Sequence, residues 1–228
     1  MIAVEGVTHA YGDRVVLRDV DVEITERRVG VIGANGSGKS TFARLLNGLV
    51  VPDAGAVRVD GLDTRRDGGA VRRRVGFVFS DPDAQVVMPT VGEDVAFSLR
   101  RLKLPREEVR TRVTGVLRRF GLDAHADHPA HLLSGGQKQL LALASVLVTE
   151  PDLLVCDEPT TLLDLRNARD VAGMIASLPQ RVVLVTHDLD ALAGWDRVLV
   201  MDEGRVVHDD EPAPAIAAYR TLMGFVTP

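Results

Sequence analysis

Residues 19–24 alternate in character, with Asp19, Asp21 and Glu23 charged and Val20, Val22 and Ile24 apolar. A two-residue period puts each set on its own face of an extended chain, so the segment reads as a strand with one wet face. Five later runs have a different texture. Residues 29–32, 75–79, 153–156, 182–185 and 198–200 are short and continuously apolar, as strands buried on both faces are. Helix-period patterns fill the intervals at 39–47, 106–120, 137–148, 164–178 and 214–223. Short buried strands alternating with helices predict an α/β chain. From about 85 to 133 no convincing buried strand occurs, which predicts an inserted helical lobe at about 85–135. No internal repeat, low-complexity tract or Pro/Gly-rich linker divides the chain, so residues 1–228 are expected to form one domain.

Candidate chemistry gathers where these strands end. Directly after the run 29–32 comes Gly33-Ala34-Asn35-Gly36-Ser37-Gly38-Lys39-Ser40, which has the spacing G-x-x-x-x-G-K-[ST] between a strand and a helix. Glycines let successive backbone N–H groups turn inward onto phosphate oxygens, and the following helix directs its positive end to the same place. Lys39 then reaches the terminal phosphates, and the Ser40 hydroxyl is a ligand for Mg²⁺. A flexible Gly-rich turn is the bland alternative, and it would not need a strand before it and a helix after it. A second strand end, Leu153-Leu154-Val155-Cys156-Asp157-Glu158, delivers two carboxylates. Asp157 is placed to hold Mg²⁺ beside the cradle, and Glu158, pointing elsewhere, to polarise an attacking water. A strand running into an acidic loop would explain the pair equally well without the phosphate loop.

Leu133-Ser134-Gly135-Gly136-Gln137 opens a further helix and makes a second anion-binding surface. One chain has one triphosphate loop, so a second phosphate site invites a symmetric partner. The strand at 182–185 delivers His187 to its C-terminal end, the edge where α/β sheets bind ligands. There His187 could bond a terminal phosphate, although a strand-end histidine is often structural.

In this order and spacing the residues resemble the ATP-binding subunits of ATP-binding-cassette (ABC) transporters over nearly the whole chain. Residues 33–40 resemble Walker A, 133–137 the signature motif and 153–158 Walker B. Thr161-Leu162-Leu163-Asp164 is similar to the D-loop, His187 to the switch histidine, and Tyr11 to the aromatic residue that stacks on adenine. The resemblance implies an α/β P-loop NTPase fold with a mainly parallel core sheet, an N-terminal antiparallel β portion and the inserted helical lobe. It implies ATP and Mg²⁺ as ligands, with Asn35, Gly36, Ser37, Gly38, Lys39, Ser40 and Thr41 around the phosphates. Ser134, Gly135, Gly136 and Gln137 would serve the nucleotide of a dimer partner, either a second copy or a related ATPase subunit. Asp81-Pro82-Asp83-Ala84-Gln85, followed by residues 89–97, is similar to energy-coupling-factor importers. Residues 160–167 and the ending Tyr219-Arg220 are most like the ATPase subunit of biotin uptake systems. The implied partners are a transmembrane coupling subunit and a substrate-binding membrane subunit, the latter binding a vitamin or a transition-metal ion. Their helices would dock in a groove lined by residues 85–89. A soluble ABC-type ATPase, or a slow nucleotide switch, is the alternative. The family has a glutamine after the strand 75–79 that serves Mg²⁺ and the water. Ser80 stands there instead, with Gln85 five residues on.

Composition narrows these readings. At 46% apolar and 26% charged, the 228 residues suit a globular core. The 27 basic and 32 acidic residues leave a net charge of −5, which argues against nucleic acid as a partner. Cys156 is the only cysteine, excluding an internal disulfide framework and fitting a reducing cytoplasm. Residues 1–5 lack a signal-peptide pattern, and the longest apolar-rich stretch, 140–148, is about half a bilayer crossing. A place on the inner face of the cell membrane would therefore depend on other subunits. His125, His128 and His131 are spaced H-x-x-H-x-x-H, but Pro129 breaks any common helical face, and a solvated connector is the plainer reading. Arg65, Arg66 and Arg72–Arg74 read as a wet edge, Cys156 as core, and Trp195 as packing for the last helix.

Overall fold

A computed structural model describes residues 1–225. In chain order the strands are β1 (Ile2–Tyr11), β2 (Arg14–Ile24), β3 (Arg28–Gly33), β4 (Ala54–Val59), β5 (Leu62–Asp63), β6 (Val75–Val78), β7 (Leu153–Asp157), β8 (Arg181–Val185), β9 (Arg197–Asp202) and β10 (Arg205–Asp210). The helices are α1 (Lys39–Leu46), α2 (Gly68–Arg74), α3 (Val91–Ser98), α4 (Arg106–Arg119), α5 (Gly135–Leu147), α6 (Leu165–Ser177) and α7 (Pro212–Leu222). An antiparallel sheet has the order β2-β1-β4-β5, and a six-stranded sheet the order β10-β9-β3-β8-β7-β6. The latter is parallel from β9 to β6, with β10 antiparallel at its edge.

The continuous apolar runs have a direct explanation. Alternate residues of each central strand enter two different cores. Val29, Leu153, Val155, Val183 and Leu199 pack with α1 and the antiparallel sheet. Ile32, Leu154, Cys156, Val182 and Val198 pack on the other face with α3, α5 and α6. A one-residue slip would therefore hide apolar side chains either way. What would suffer is Asp157, drawn from the sheet edge into the interior, where an unpaired carboxylate is costly.

The half-wet strands are the ones the pattern reading underdetermines. Val20, Val22 and Ile24 do lie buried on β2. β1, its partner, loses a clean alternation through register shifts after Val4, Val7 and His9. β10 is a polar edge strand, RVVHDD, with no buried residue. Within 85–135 lie α3, α4 and three 3₁₀ turns, with no strand apart from an isolated Thr90–Pro129 bridge. α5 begins at Gly135 rather than 137 because Ser134 caps it, accepting from the Gln137 N–H while Gln137 Oε1 accepts from the Ser134 N–H at 2.9 Å. Trp195 is buried in the same cluster as Ala215 of α7.

Phe42 of α1 is fully buried in the core shared with both sheets. Phe42→Ala is expected to cost about 3–5 kcal/mol of stability. Urea unfolding should register this as a lower midpoint at unchanged m, and a loss under about 1 kcal/mol would show that α1 is not a keystone between the sheets.

Candidate active site

The strand order β3-β8-β7 puts three strand ends side by side, and the candidate residues meet at that edge. After Gly33 the chain turns through residues 34–38 into α1. The turn demands glycine at two points. A Cβ on Gly33 would lie 2.1 Å from the Met201 carbonyl oxygen, and one on Gly38, at φ +102°, 2.8 Å from the Val16 carbonyl oxygen. Lys39 is buried inside this cradle, where its Nζ donates to the Gly33 and Ala34 carbonyls at 2.8 and 2.9 Å. Burial holds its pKa below the usual lysine range, against the opposing pull of Glu158 and Asp157. The Ser37 hydroxyl is buried without a partner. Asn35 and Gly36 form the exposed rim, while Thr41 is buried behind it.

Ser40 Oγ donates to Asp157 Oδ1 at 2.8 Å. Asp157 is 3% exposed, and burial raises its pKa, partly offset by the Ser40 hydrogen bond and by Arg44 at 3.8 Å. Arg44 was absent from the sequence reading, yet it sits four residues after Ser40 on the same face of α1, which is the signal that would have found it. Glu158 takes a different course. Its φ of +49° is a left-handed conformation unusual for a side chain of this size, and its N–H donates to Val185 O at 2.9 Å. The carboxylate therefore turns away from Asp157: Oε2 accepts from Thr161 Oγ1 at 2.9 Å and lies 3.3 Å from His187 Nδ1.

Ser80 follows β6 at the same edge and is half-buried. Gln85 does not reach the edge with its amide. Its Oε1 accepts from the Phe79 N–H at 3.1 Å, and its Nε2 faces the Phe77 and Ala142 carbonyls at 3.4 Å each. The buried Gln139 adds a contact to the Phe79 carbonyl at 3.4 Å. Tyr11 ends β1 with its ring half exposed and edge-on to His9, at 4.8 Å between centroids. Arg14, beside it in the hairpin, comes within 3.5 Å of where a Gly36 Cβ would be, so the hairpin tip borders the phosphate loop.

Two sets of sequence candidates stand apart from this cluster. Ser134 and Gly135 are exposed at the start of α5, and Gly136 is packed so closely on Asn167 that a Cβ would come within 2.7 Å. The histidine series forms no metal-ligand set among the described residues. His125 meets His128 edge to face at 5.0 Å, and its Nε2 lies 3.3 Å from Gln137 Nε2.

A family model described as ABC transporter matches residues 17–161, from β2 through the end of the Glu158 turn. The chain belongs to the ABC transporter family. As an ABC ATPase it binds ATP and couples ATP hydrolysis to transport. It is 50% identical over 213 residues to the biotin transport ATP-binding protein BioM of Rhizobium etli, covering 93% of this chain and 95% of that one. It is 44% identical to the energy-coupling factor transporter ATP-binding protein EcfA1 of Symbiobacterium thermophilum, covering 90% and 77%. Among solved structures, CbiO1 of Clostridium perfringens, part of the ABC transporter complex CbiONQ, superposes with a TM-score of 0.84 at 35% identity over 98% of this chain and 93% of that one.

A carboxylate whose pKa is raised in the folded state is destabilising when ionised and neutral in effect once protonated in both states. The metal-free ATPase carrying Asp157→Asn, which keeps an acceptor for Ser40, is therefore expected to melt about 2–4 °C above wild type at pH 7. The gain should shrink as pH falls below the ordinary aspartate range, near pH 4. Thermal scans in chelator across this pH range decide the matter; a variant less stable than wild type at pH 7 would show that the buried charge is fully compensated.

Proposed function

We propose that this ATPase is the motor subunit of an energy-coupling-factor-type importer, and that its cargo is a vitamin, biotin first. The observation that carries the reading is the 50% identity to a biotin transport ATPase along nearly the whole of both chains. Full-length likeness to transport subunits leaves little room for the soluble or switch-like alternative. No helix among the described residues is long and apolar enough to cross a membrane. Membrane passage thus falls to other subunits, with this one seated on the inner face.

The donor set at the edge suits Mg²⁺. Ser40 and Asp157 supply a hydroxyl and a carboxylate 2.8 Å apart, hard oxygen ligands that leave the remaining positions to water and phosphate. The ion, when bound, neutralises charge building on the β- and γ-phosphates. Backbone N–H groups of Asn35, Gly36, Ser37 and Gly38 then cradle the phosphates, with Lys39, Ser40 and Thr41 at the start of α1. Lys39 exchanges its two carbonyl contacts for phosphate oxygens, and Tyr11 offers an aromatic face to the adenine. Glu158 accepts the proton of the attacking water, with His187 beside it to hold the γ-phosphate. Ser80 contributes a hydroxyl where a longer amide is usual; Gln85, engaged with the backbone, is not its stand-in.

Ser134, Gly135, Gly136 and Gln137 complete the site of a second subunit, an identical copy or a related ATPase. Docking of the membrane subunits falls to the surface around Val87 and Phe97, which are 62% and 41% exposed. Their exposure excludes interior packing for both. The Val87 and Met88 amides are held by one buried carboxylate, Asp94 Oδ1, at 2.8 and 3.0 Å, while Asp94 Oδ2 accepts from Ser145 of α5.

With Glu158 as the base, Glu158→Gln should lower ATP turnover by about 10²-fold or more while ATP affinity stays close to wild type, because the amide keeps the shape and loses the basicity. Turnover near wild type would remove Glu158 from that role. The shared site has its own test. Mixing Lys39→Ala chains with Ser134→Arg chains gives heterodimers with one doubly damaged site and one intact site. Activity above that of either mutant alone is expected; none, with heterodimers demonstrated and the two sites able to fire independently, would count against sharing.

A further inference from the structure

Phe97 separates two hollows. One, of about 500 Å³, has Met88, Leu99 and Leu104 in its wall. The other, of about 540 Å³, lies between the β6 edge and the end of α3, floored by Phe77, Val75 and Val146. Its lining contains Arg72, Arg73, Arg100 and Arg101 and not one Asp or Glu. All four arginines are exposed. Elsewhere Arg44, Arg58, Arg110, Arg112, Arg181 and Arg197 each meet a carboxylate. Among the described residues, none of the four around this hollow does. Arg100 instead lies 5.3 Å over the Phe97 ring, which fixes a guanidinium at the mouth. Exposed Phe97 and Leu102 sit between these charges.

An apolar floor with a charged rim is the anatomy of a helix-receiving groove, and the rim here has one sign in a protein whose net charge is −5. We infer that this hollow receives an acidic helix: the docking segment of the membrane subunit presents an apolar face to Phe97 and carboxylates to Arg72, Arg73, Arg100 and Arg101. The inference rests on the transport reading above and adds the chemistry of the partner. A concave hollow with aromatic residues in its floor favours a protein segment over the flat surface of a lipid leaflet. Guanidinium groups suit carboxylates because they bind them bidentately, and opposite charge across the groove selects this ATPase against others whose rim is of mixed or negative sign.

The test uses the full chain co-expressed with the membrane subunits encoded beside it and recovered in detergent. Two double reversals, Arg72→Glu with Arg73→Glu and Arg100→Glu with Arg101→Glu, should each lower the recovered membrane subunits by about tenfold, and Arg→Lys versions should retain assembly. Assembly of the wild type should weaken as salt rises. Exchanging a carboxylate of the partner helix for lysine should restore assembly to a reversed chain. Phe97→Asp reports on the groove independently of its charge. If it abolishes assembly while the reversals do not, a helix docks here without acidic residues, and the inference is overturned while the transport reading stands. If neither matters, docking lies elsewhere and both fail at this surface. If the reversals spare assembly in detergent but abolish binding of the isolated chain to phosphatidylglycerol vesicles, the arginines face lipid headgroups, and the inference is again overturned. Melting temperatures within about 2 °C of wild type establish that each variant is folded.

Discussion

Lys39 and Asp157 are both withdrawn from water at one sheet edge, and burial disfavours the charged form of each. The surrounding architecture is what makes that tolerable. The cradle carbonyls of Gly33 and Ala34 hold the ammonium, and Ser40 and Arg44 support the carboxylate. None of these partners moves freely, because α1 is clamped by Phe42, Leu45 and Leu46 between the two sheets. A site built of pre-positioned, incompletely neutralised charge gains more from a polyanion and a cation than a solvated one would, since less water has to be displaced. The two cores thus act as a mould that keeps opposing charges at fixed separation until ligand arrives.

The parts of the fold that depend on burial from both sides were legible in the residues alone. The runs 153–156, 182–185 and 198–200 became β7, β8 and β9 because no polar side chain interrupts them. β1 and β10 escaped the same reading for a reason of the same kind. Bulges disturb β1, and nothing on β10 is buried, so neither strand carries a clean two-residue period. At the site, spacing was enough to place residues 33–40, Asp157, Glu158 and His187 at one edge, since strand ends in a parallel sheet converge there. It could not reveal that Gln85 turns back onto Phe79, that Arg44 backs Asp157, or that Glu158 bends into positive φ. Those are consequences of packing and backbone torsion, which leave no periodic trace.

Asp94 shows how a single buried group can join distant duties. Its two oxygens take the Val87 and Met88 amides on one side and the Ser145 hydroxyl on the other. Ser145 lies on α5, the helix capped by Ser134. A segment on the proposed docking surface and a helix that begins at the proposed shared phosphate site are therefore bonded to the same carboxylate. Removing it would leave buried donors unsatisfied, so the two are costly to separate and are expected to move as one body.

The cap at Ser134 raises a possible conflict with that shared role, and the donor count resolves it. In the capping box the Ser134 hydroxyl oxygen accepts from the Gln137 N–H at 3.3 Å, while the Ser134 N–H is taken by Gln137 Oε1 at 2.9 Å. A hydroxyl that accepts still has its own proton to donate. The first-turn amides of Gly135 and Gly136 also have no carbonyl within the helix to bond. One side chain thus terminates the helix and still presents a donor outward, beside amides directed the same way and at the positive end of the α5 dipole. These donors need an anion that their own chain's cradle already encloses elsewhere. A twofold arrangement satisfies both surfaces at once, and it makes the closed state depend on the triphosphate, because only the γ-phosphate is shared between the Lys39 of one subunit and the Ser134 of the other.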